Sequence, residues 1–87
     1  MNDDKPLLAD GFDSAVLGLS RGPGSADVAV YSIDRCIDIL VKRDGMSEEE
    51  AIEFMNFNVL DAYMGPMTPI FVYEMDAAAI NEYADSV

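Results

Sequence analysis

The sequence contains no histidine, no tryptophan and a single cysteine, Cys36. The lack of histidine removes the commonest general base and the commonest zinc ligand. A lone cysteine cannot form an internal disulfide, which fits a reducing compartment. Cys36 falls on the apolar face of a predicted helix, where a thiol is typical of a small core residue. We therefore expect no enzymatic activity, no bound metal and no cofactor.

Basic residues are also scarce, with five against 17 acids and a formal net charge of -12. All five bases lie in residues 1–43, whereas residues 44–87 contain ten acids and no base. Such a surface repels nucleic-acid backbones and anionic membranes, so we expect no direct binding to either. Two explanations of the large number of acidic residues stay open. They either keep a small protein soluble or imitate the charge of DNA.

The chain has no apolar run near the ~18 residues of a membrane span, and its first residues are acidic, unlike a secretory signal. Its 87 residues suit one domain with a thin core. A domain of this size without disulfides often gains stability by oligomerising, so a homo-oligomer is predicted. We expect a flexible acidic arm over residues 1–12, a single domain over 13–75, and a tail or short helix over 76–87.

Three segments have the composition and alternation of β-strands. The first two are predicted over residues 14–21 and 27–32, joined by a turn rich in glycine and proline. The third is predicted over residues 68–74, where Pro69 lacks a ladder donor and favours an edge position. With two helices before the third strand, the order β-β-α-α-β predicts an α+β domain. We expect an antiparallel-type sheet with both helices packed on one face.

Both predicted helices have recognisable ends. Ser32 is a suitable N-cap for the first helix, and Gly45 is a suitable C-terminal stop. Ser47 and Glu50 have the spacing of a capping box at the start of the second helix, which is predicted to run to Gly65. Its apolar arc is wide enough to be covered on more than one side.

Binding residues are expected near the corner between the second helix and the third strand. Asn58 interrupts the apolar arc of the helix, and a buried asparagine must be hydrogen-bonded. Asn58 either ties down the loop at Pro66 or lines a pocket, to which Arg21 would supply a positive charge. The candidate ligand-binding residues are Arg21, Tyr31, Asn58, Tyr63 and Thr68. The candidate residues for a partner interface are Phe54, Phe57, Phe71 and Tyr73.

The stretch from residue 45 to residue 71 resembles the signature of a family of small proteins encoded by phages and prophages. The residues that carry the resemblance are Gly45-Met46-Ser47, Glu49-Glu50-Ala51, Phe57-Asn58-Val59, Ala62-Tyr63, Gly65 and Thr68-Pro69-Ile70-Phe71. Residues 28–31 and 36–40 fit the same pattern, so the resemblance covers roughly residues 14–73. It implies no particular reaction. It does imply a phage accessory protein that works in the host bacterial cytoplasm.

The functional hypotheses differ in what the protein binds. The first is a non-catalytic, homo-oligomeric protein that counters host defence or redirects host machinery by sequestering a host protein or a nucleotide-type signal. The second is an acidic mimic of DNA that blocks a nucleic-acid-binding host protein, and a virion component is a third. If the ligand is a nucleotide-type signal, we expect arginine and aromatic residues clustered in a pocket. If the target is a protein, we expect an exposed apolar patch instead. A DNA mimic predicts binding that weakens with salt.

Overall fold

The computed structural model describes residues 5–24 and 26–86. Residues 1–4, 25 and 87, which belong to the predicted arm, turn and tail, lie outside this part of the chain. The regular elements within it are a 3-10 turn (Asp13–Ala15), β1 (Val16–Leu19), β2 (Ala29–Ser32), α1 (Ile33–Asp44), α2 (Glu48–Phe54), β3 (Ile70–Val72) and α3 (Ala77–Ser86). The predicted α+β class is confirmed, and β1, β2, α1, α2 and β3 follow one another in the predicted order β-β-α-α-β. The tail forms a helix.

The sheet is mixed, with the order β1-β2-β3 among the described residues. β1 and β2 form the predicted antiparallel hairpin, in which Leu19 lies opposite Ala29. β3 runs parallel to β2, with Phe71 opposite Tyr31, so the prediction of an antiparallel-type sheet was wrong for this strand. The helical segment between β2 and β3 supplies the long crossover that a parallel neighbour requires.

Both outer strands are shorter than predicted. The 3-10 turn places Ala15 in the core, so β1 begins only at Val16. Gly18, with a φ of +156°, lies where the register between β1 and β2 shifts. At the other edge, the Thr68 hydroxyl accepts a hydrogen bond from the Met64 N–H and donates one to the Gly65 carbonyl. Thr68 therefore belongs to the loop, and β3 begins after it.

Both predicted ends of α1 and the predicted start of α2 are confirmed, whereas the second helix ends at Val59 and not at Gly65 as predicted. The Ser32 hydroxyl accepts a hydrogen bond from the Arg35 N–H at 3.1 Å, which caps α1. Gly45 ends α1 in the left-handed conformation, with a φ of +70° that glycine adopts without steric cost. The Ser47 and Glu50 side chains each accept a hydrogen bond from the other residue's N–H, which completes the capping box.

The core is built around β2, with α1 packed on β2 and α2 packed on α1. Its largest fully buried side chains are Tyr31, Ser32, Cys36, Leu40 and Met55. Phe12 is only 6% exposed and belongs to the same cluster. Because Phe12 is packed in this way, the predicted boundary of a flexible arm at residue 12 falls inside the folded domain. Within residues 5–24 and 26–86, no helix combines the length and the apolar character needed to cross a membrane.

Candidate partner-binding groove

The second helix changes its winding before it ends. Met55–Val59 form a π-helical turn, in which the Leu60 N–H donates to the Met55 carbonyl at 2.8 Å, five residues back. Such turns are rare and occur frequently at functional sites. Ala51, before the turn, and Met55, its first residue, are buried, whereas Phe57 is 81% exposed and Asn58 is also exposed within the turn. The turn therefore presents an aromatic ring and an amide to the surface.

A groove of about 240 Å³ lies beside this turn. Its walls come from the N-terminal segment (residues 7–12), from the last part of the second helix, and from the loop that leads into β3. The main apolar lining residues are Leu7, Phe12, Phe54, Val59, Met64 and Phe71. Asp10, Asn58 and Thr68 are the polar residues among the described side chains that line it. The groove is thus an apolar slot with a few polar groups at its walls.

The N-terminal wall is attached to the domain at separate points. The Leu7 N–H donates to the Met67 carbonyl at 3.2 Å. The Ala9 N–H donates to the Tyr31 hydroxyl at 2.8 Å. The Arg43 guanidinium donates to the Gly11 carbonyl at 2.6 Å and lies 5.8 Å from the centre of the Phe12 ring, within cation–π range. These contacts hold the wall against β2, α1 and the loop before β3.

The groove is closed on its inner side by two stacked rings. The rings of Tyr31 and Phe71 are stacked with centroids 5.1 Å apart, and Phe71 lines the groove. Tyr31 is 0% exposed, so it supports Phe71 from the core. The sequence analysis assigned Tyr31 to ligand binding, whereas its hydroxyl is used to anchor the N-terminal wall.

The loop wall is organised by Thr68. Its hydroxyl accepts a hydrogen bond from the Met64 N–H at 2.8 Å and donates one to the Gly65 carbonyl at 2.7 Å. These two bonds fix the loop around Pro66, the role that was considered for Asn58. The Asn58 side chain makes no hydrogen bond with another residue in the described part of the chain. Of the two roles considered for Asn58, the structure thus gives the loop-tying role to Thr68. The Asn58 amide lines the groove.

The structure brings together part of the predicted site. Asn58 and Thr68, predicted to bind a ligand, line the groove with Phe54 and Phe71, predicted to form a partner interface. Arg21 lies in the loop between β1 and β2 and is not among the lining residues. Tyr63 is 76% exposed and is not among the lining residues.

The other two predicted interface residues lie at different hollows. Phe57 lines the basin described next, and Tyr73, which is 60% exposed, borders a hollow with Ile52 and Leu60. The N-terminal wall belongs to the segment that was predicted to be a flexible arm, and no site residue was predicted in it. Its signal was the presence of Leu7, Leu8 and Phe12 within an otherwise polar segment.

A shallow acidic basin adjoins the groove, and the two share Phe54 and Asn58 as lining residues. The basin is lined by three acids, Asp44, Glu50 and Glu53. Asp44 is paired with Arg43 at 2.9 Å, and this hydrogen bond lowers the pKa of the Asp44 carboxyl. Glu50 is held in the capping box, whereas Glu53 has no ion-pair partner among the described residues. No lysine or arginine is among the residues that line the groove or the basin.

Neither an activated thiol nor a metal-binding cluster is found among the described residues. The Cys36 thiol is fully buried, and burial raises its pKa to about 11, so the thiol stays protonated at neutral pH. In the described segments, no group of three or more histidine, cysteine, aspartate or glutamate side chains is arranged to hold a metal ion.

Comparisons with known protein families, with curated proteins and with solved structures found no match. The resemblance to the phage-encoded family therefore stays a prediction.

Proposed function

We propose that this chain is a non-catalytic binding protein that holds a protein partner by taking one of its apolar side chains into the groove. The observation that supports this proposal is the size of the groove. Its volume of about 240 Å³ exceeds the roughly 150 Å³ of a cavity that accommodates benzene. It is smaller than the roughly 300–1,000 Å³ of pockets that enclose whole small molecules. One large side chain therefore suits it better than a complete ligand.

The charge of the groove favours a protein over a nucleotide-type signal. Phosphate groups are bound by arginine, by lysine or by the N–H groups of helix N-termini. The groove offers the carboxylate of Asp10 instead, and the lining includes no lysine or arginine. Arg21, the cation expected to serve such a ligand, is in a different loop. A phosphate-bearing ligand would therefore meet repulsion without a compensating contact.

The surface next to the groove has the composition of a protein interface. Phe57, Tyr63 and Met64 are 81%, 76% and 69% exposed, respectively. Aromatic residues and methionine are enriched at interfaces, where they supply much of the binding energy. These side chains follow one another within eight residues of sequence, from the π-helical turn into the loop after it. They would extend the contact beyond the single side chain that the groove accommodates.

The resemblance to the phage-encoded family suggests where this binding would take place. A small phage protein that works by occupying its target would act in the host bacterial cytoplasm. There it would bind a host protein and so counter defence or redirect host machinery. Homo-oligomerisation is a separate prediction, and the groove does not require it.

The DNA mimic is the second candidate, and one observation favours it. All ten acids of residues 44–87 are exposed, without a base between them. Binding through these acids would fall steeply with added salt and would not depend on the groove. A partner that binds equally well when the groove is filled, and is released by salt, would support the mimic instead.

The groove itself can be tested with an analogue of an apolar side chain. We expect N-acetyltryptophanamide, titrated into the isotope-labelled protein, to shift the amide resonances of Ala9, Asn58, Ala62 and Thr68. Ala62→Trp, which fills the groove from its wall, should abolish these shifts. Ala84→Trp, on the exposed surface of α3, adds the same side chain elsewhere and should preserve them.

A parallel titration with adenosine monophosphate discriminates between the two kinds of ligand. The groove residues should not respond to it, because no cation lines the site. Shifts at the groove caused by the nucleotide, or a tryptophan analogue that binds on α3 alone, would contradict the proposed function.

A further inference from the structure

We infer that the partner segment recognised by the groove is amphipathic and basic, with a large apolar side chain flanked by lysine or arginine. This inference rests on the proposed function, because it names the chemistry of the segment that enters the same groove. An apolar slot alone accepts an aromatic or aliphatic side chain from almost any exposed segment. The charges around the slot restrict that choice.

Acids surround the groove from more than one element. Asp10 lies on the N-terminal wall, and Glu50 and Glu53 lie on α2 at the adjoining basin. Asp44 is also in the basin, but its charge is offset by the paired guanidinium of Arg43. No lysine or arginine is among the described residues of either lining, and Arg43 is paired with Asp44, so the carboxylates of Asp10, Glu50 and Glu53 are the charges here without an ion-pair partner among the described residues. Complementary charges raise the association rate and suppress partners of the wrong sign.

Glu53 is the acid best placed to select a cation. It is exposed at the basin, and among residues 5–24 and 26–86 it forms no ion pair and no side-chain hydrogen bond. A cation of the partner can therefore approach it without displacing an internal contact. Phe54, the next residue, lines both the basin and the groove, so the charged and the apolar contact adjoin each other.

A second copy of this chain is a poor occupant on the same grounds. Each copy carries a formal charge of -12, and residues 44–87 supply most of it. Seating one copy in the acidic groove of another would bring like charges together, which costs binding free energy. A basic partner removes this repulsion and gains attraction in its place.

The test uses the full protein and peptides of equal length that carry a fluorescent label. The first peptide has a tryptophan and leucines flanked by lysines, the second has glutamates in place of the lysines, and the third keeps the lysines but replaces the apolar residues by serine. We expect the first to bind the tightest by anisotropy, with the second at least about tenfold weaker. The third should bind weakly, because lysines without an anchor cannot use the groove. Raising the sodium chloride concentration from about 50 mM to about 500 mM should reduce the difference in affinity between the first two peptides, because salt screens the charges.

Matched charge-reversal variants show whether the preference for the lysine peptide comes from the acids at the groove or from the net charge of the protein. Glu53→Lys should weaken the binding of the lysine peptide severalfold and strengthen that of the glutamate peptide. Glu82→Lys makes the same change in net charge on α3 and should have a smaller effect on both. Asp10→Lys, on the N-terminal wall, is a second variant in case Glu53→Lys disturbs α2. An equal effect of the groove variants and Glu82→Lys would overturn the inference, because the selection would then come from net charge alone.

The remaining outcomes separate this inference from the proposed function. If both amphipathic peptides bind equally and Ala62→Trp blocks both, the groove binds partners but does not select basic ones, and only the inference fails. If Ala62→Trp blocks neither peptide, the proposed function fails as well. If the protein alone forms a dimer that Ala62→Trp dissociates, a second copy is the occupant, and the inference is wrong.

Discussion

Residues 28–55 and residues 56–86 use their apolar side chains in opposite ways. The first region contains most of the core, including Tyr31 and Leu40, which are 0% and 1% exposed. In residues 56–86 no side chain is buried, and Phe57, Tyr63 and Met64 are largely exposed. Both regions carry aromatic and aliphatic residues, so composition does not distinguish them. The difference indicates that the first region supplies most of the core, whereas the second leaves much of its apolar surface exposed.

The terminal helix is the extreme case within the second region. α3 has ten residues and none of them is buried, and Ile80 and Tyr83 are 53% and 61% exposed. Isolated helices shorter than about 12–15 residues are marginal in water. With no buried residue, α3 contributes little to the core, and its start is capped by the hydrogen bond from the Ala79 N–H to the Asp76 carboxylate.

The largest expected effect comes from truncating one side chain in each region. Leu40→Ala should lower the free energy of unfolding by about 2–5 kcal/mol, because it leaves a cavity in the core. Phe57→Ala should change it by less than about 0.5 kcal/mol, since the ring is mostly in water already. Urea denaturation of both variants measures the two values. Comparable losses for Leu40→Ala and Phe57→Ala would abolish the distinction between the regions.

A smaller effect is expected from a matched pair of tyrosines. Tyr31→Phe keeps the ring that stacks on Phe71 but removes the hydroxyl that binds the Ala9 N–H. The loss of one such hydrogen bond should cost about 1 kcal/mol and speed hydrogen exchange at the Ala9 amide. Tyr63→Phe removes a hydroxyl from the exposed region and should change neither quantity. If Ala9 exchanges at the same rate in Tyr31→Phe as in the parent protein, the hydroxyl does not hold the N-terminal wall.

Local features of the fold were predictable because local chemistry decides them. Ser32, Gly45, Ser47 and Glu50 mark helix ends through contacts within a few residues, so their roles can be inferred from spacing alone. The parallel pairing of β3 depends on the route of the chain through two helices, and strand composition does not encode it. The π-helical turn at Met55–Val59 likewise has no simple sequence pattern, since Asn58 indicated only an interruption of the apolar arc.

The candidate site was predictable only where its residues lie near one another in sequence. Asn58 and Thr68 were identified from the corner between helix and strand, and both line the groove. The wall that contains Leu7 and Phe12 is far away in sequence, and it reaches the groove through Tyr31 and Arg43. Assigning Arg21 to the pocket assumed that the hairpin turn approaches the helix corner, and the structure separates them. Contacts of this kind arise from the tertiary fold.

The smallest expected effect concerns Glu74, the acid of the second region that contacts the first. The Ser32 hydroxyl donates to its carboxylate at 2.6 Å and the Arg35 guanidinium donates at 3.0 Å. The hydrogen bond from Ser32, followed by the contacts with Arg35, lowers the pKa of the Glu74 carboxyl below its ordinary value. A carboxyl whose pKa is lower in the folded state stabilises that state above the unfolded-state pKa. The contribution is lost as the pH falls through the folded-state pKa.

Glu74→Gln tests this connection between the regions through its pH dependence. The variant should melt slightly below the parent protein at neutral pH, by a small margin because the carboxylate is 40% exposed and screened by water. The difference in melting temperature should shrink as the pH falls below about 4, where protonation removes the charge in the parent protein. Glu82→Gln, which removes an exposed charge of α3, should show no such trend. A Glu74→Gln difference that is constant with pH, or that grows in acid, would mean that the carboxylate does not connect β3 to the start of α1 as a charged group.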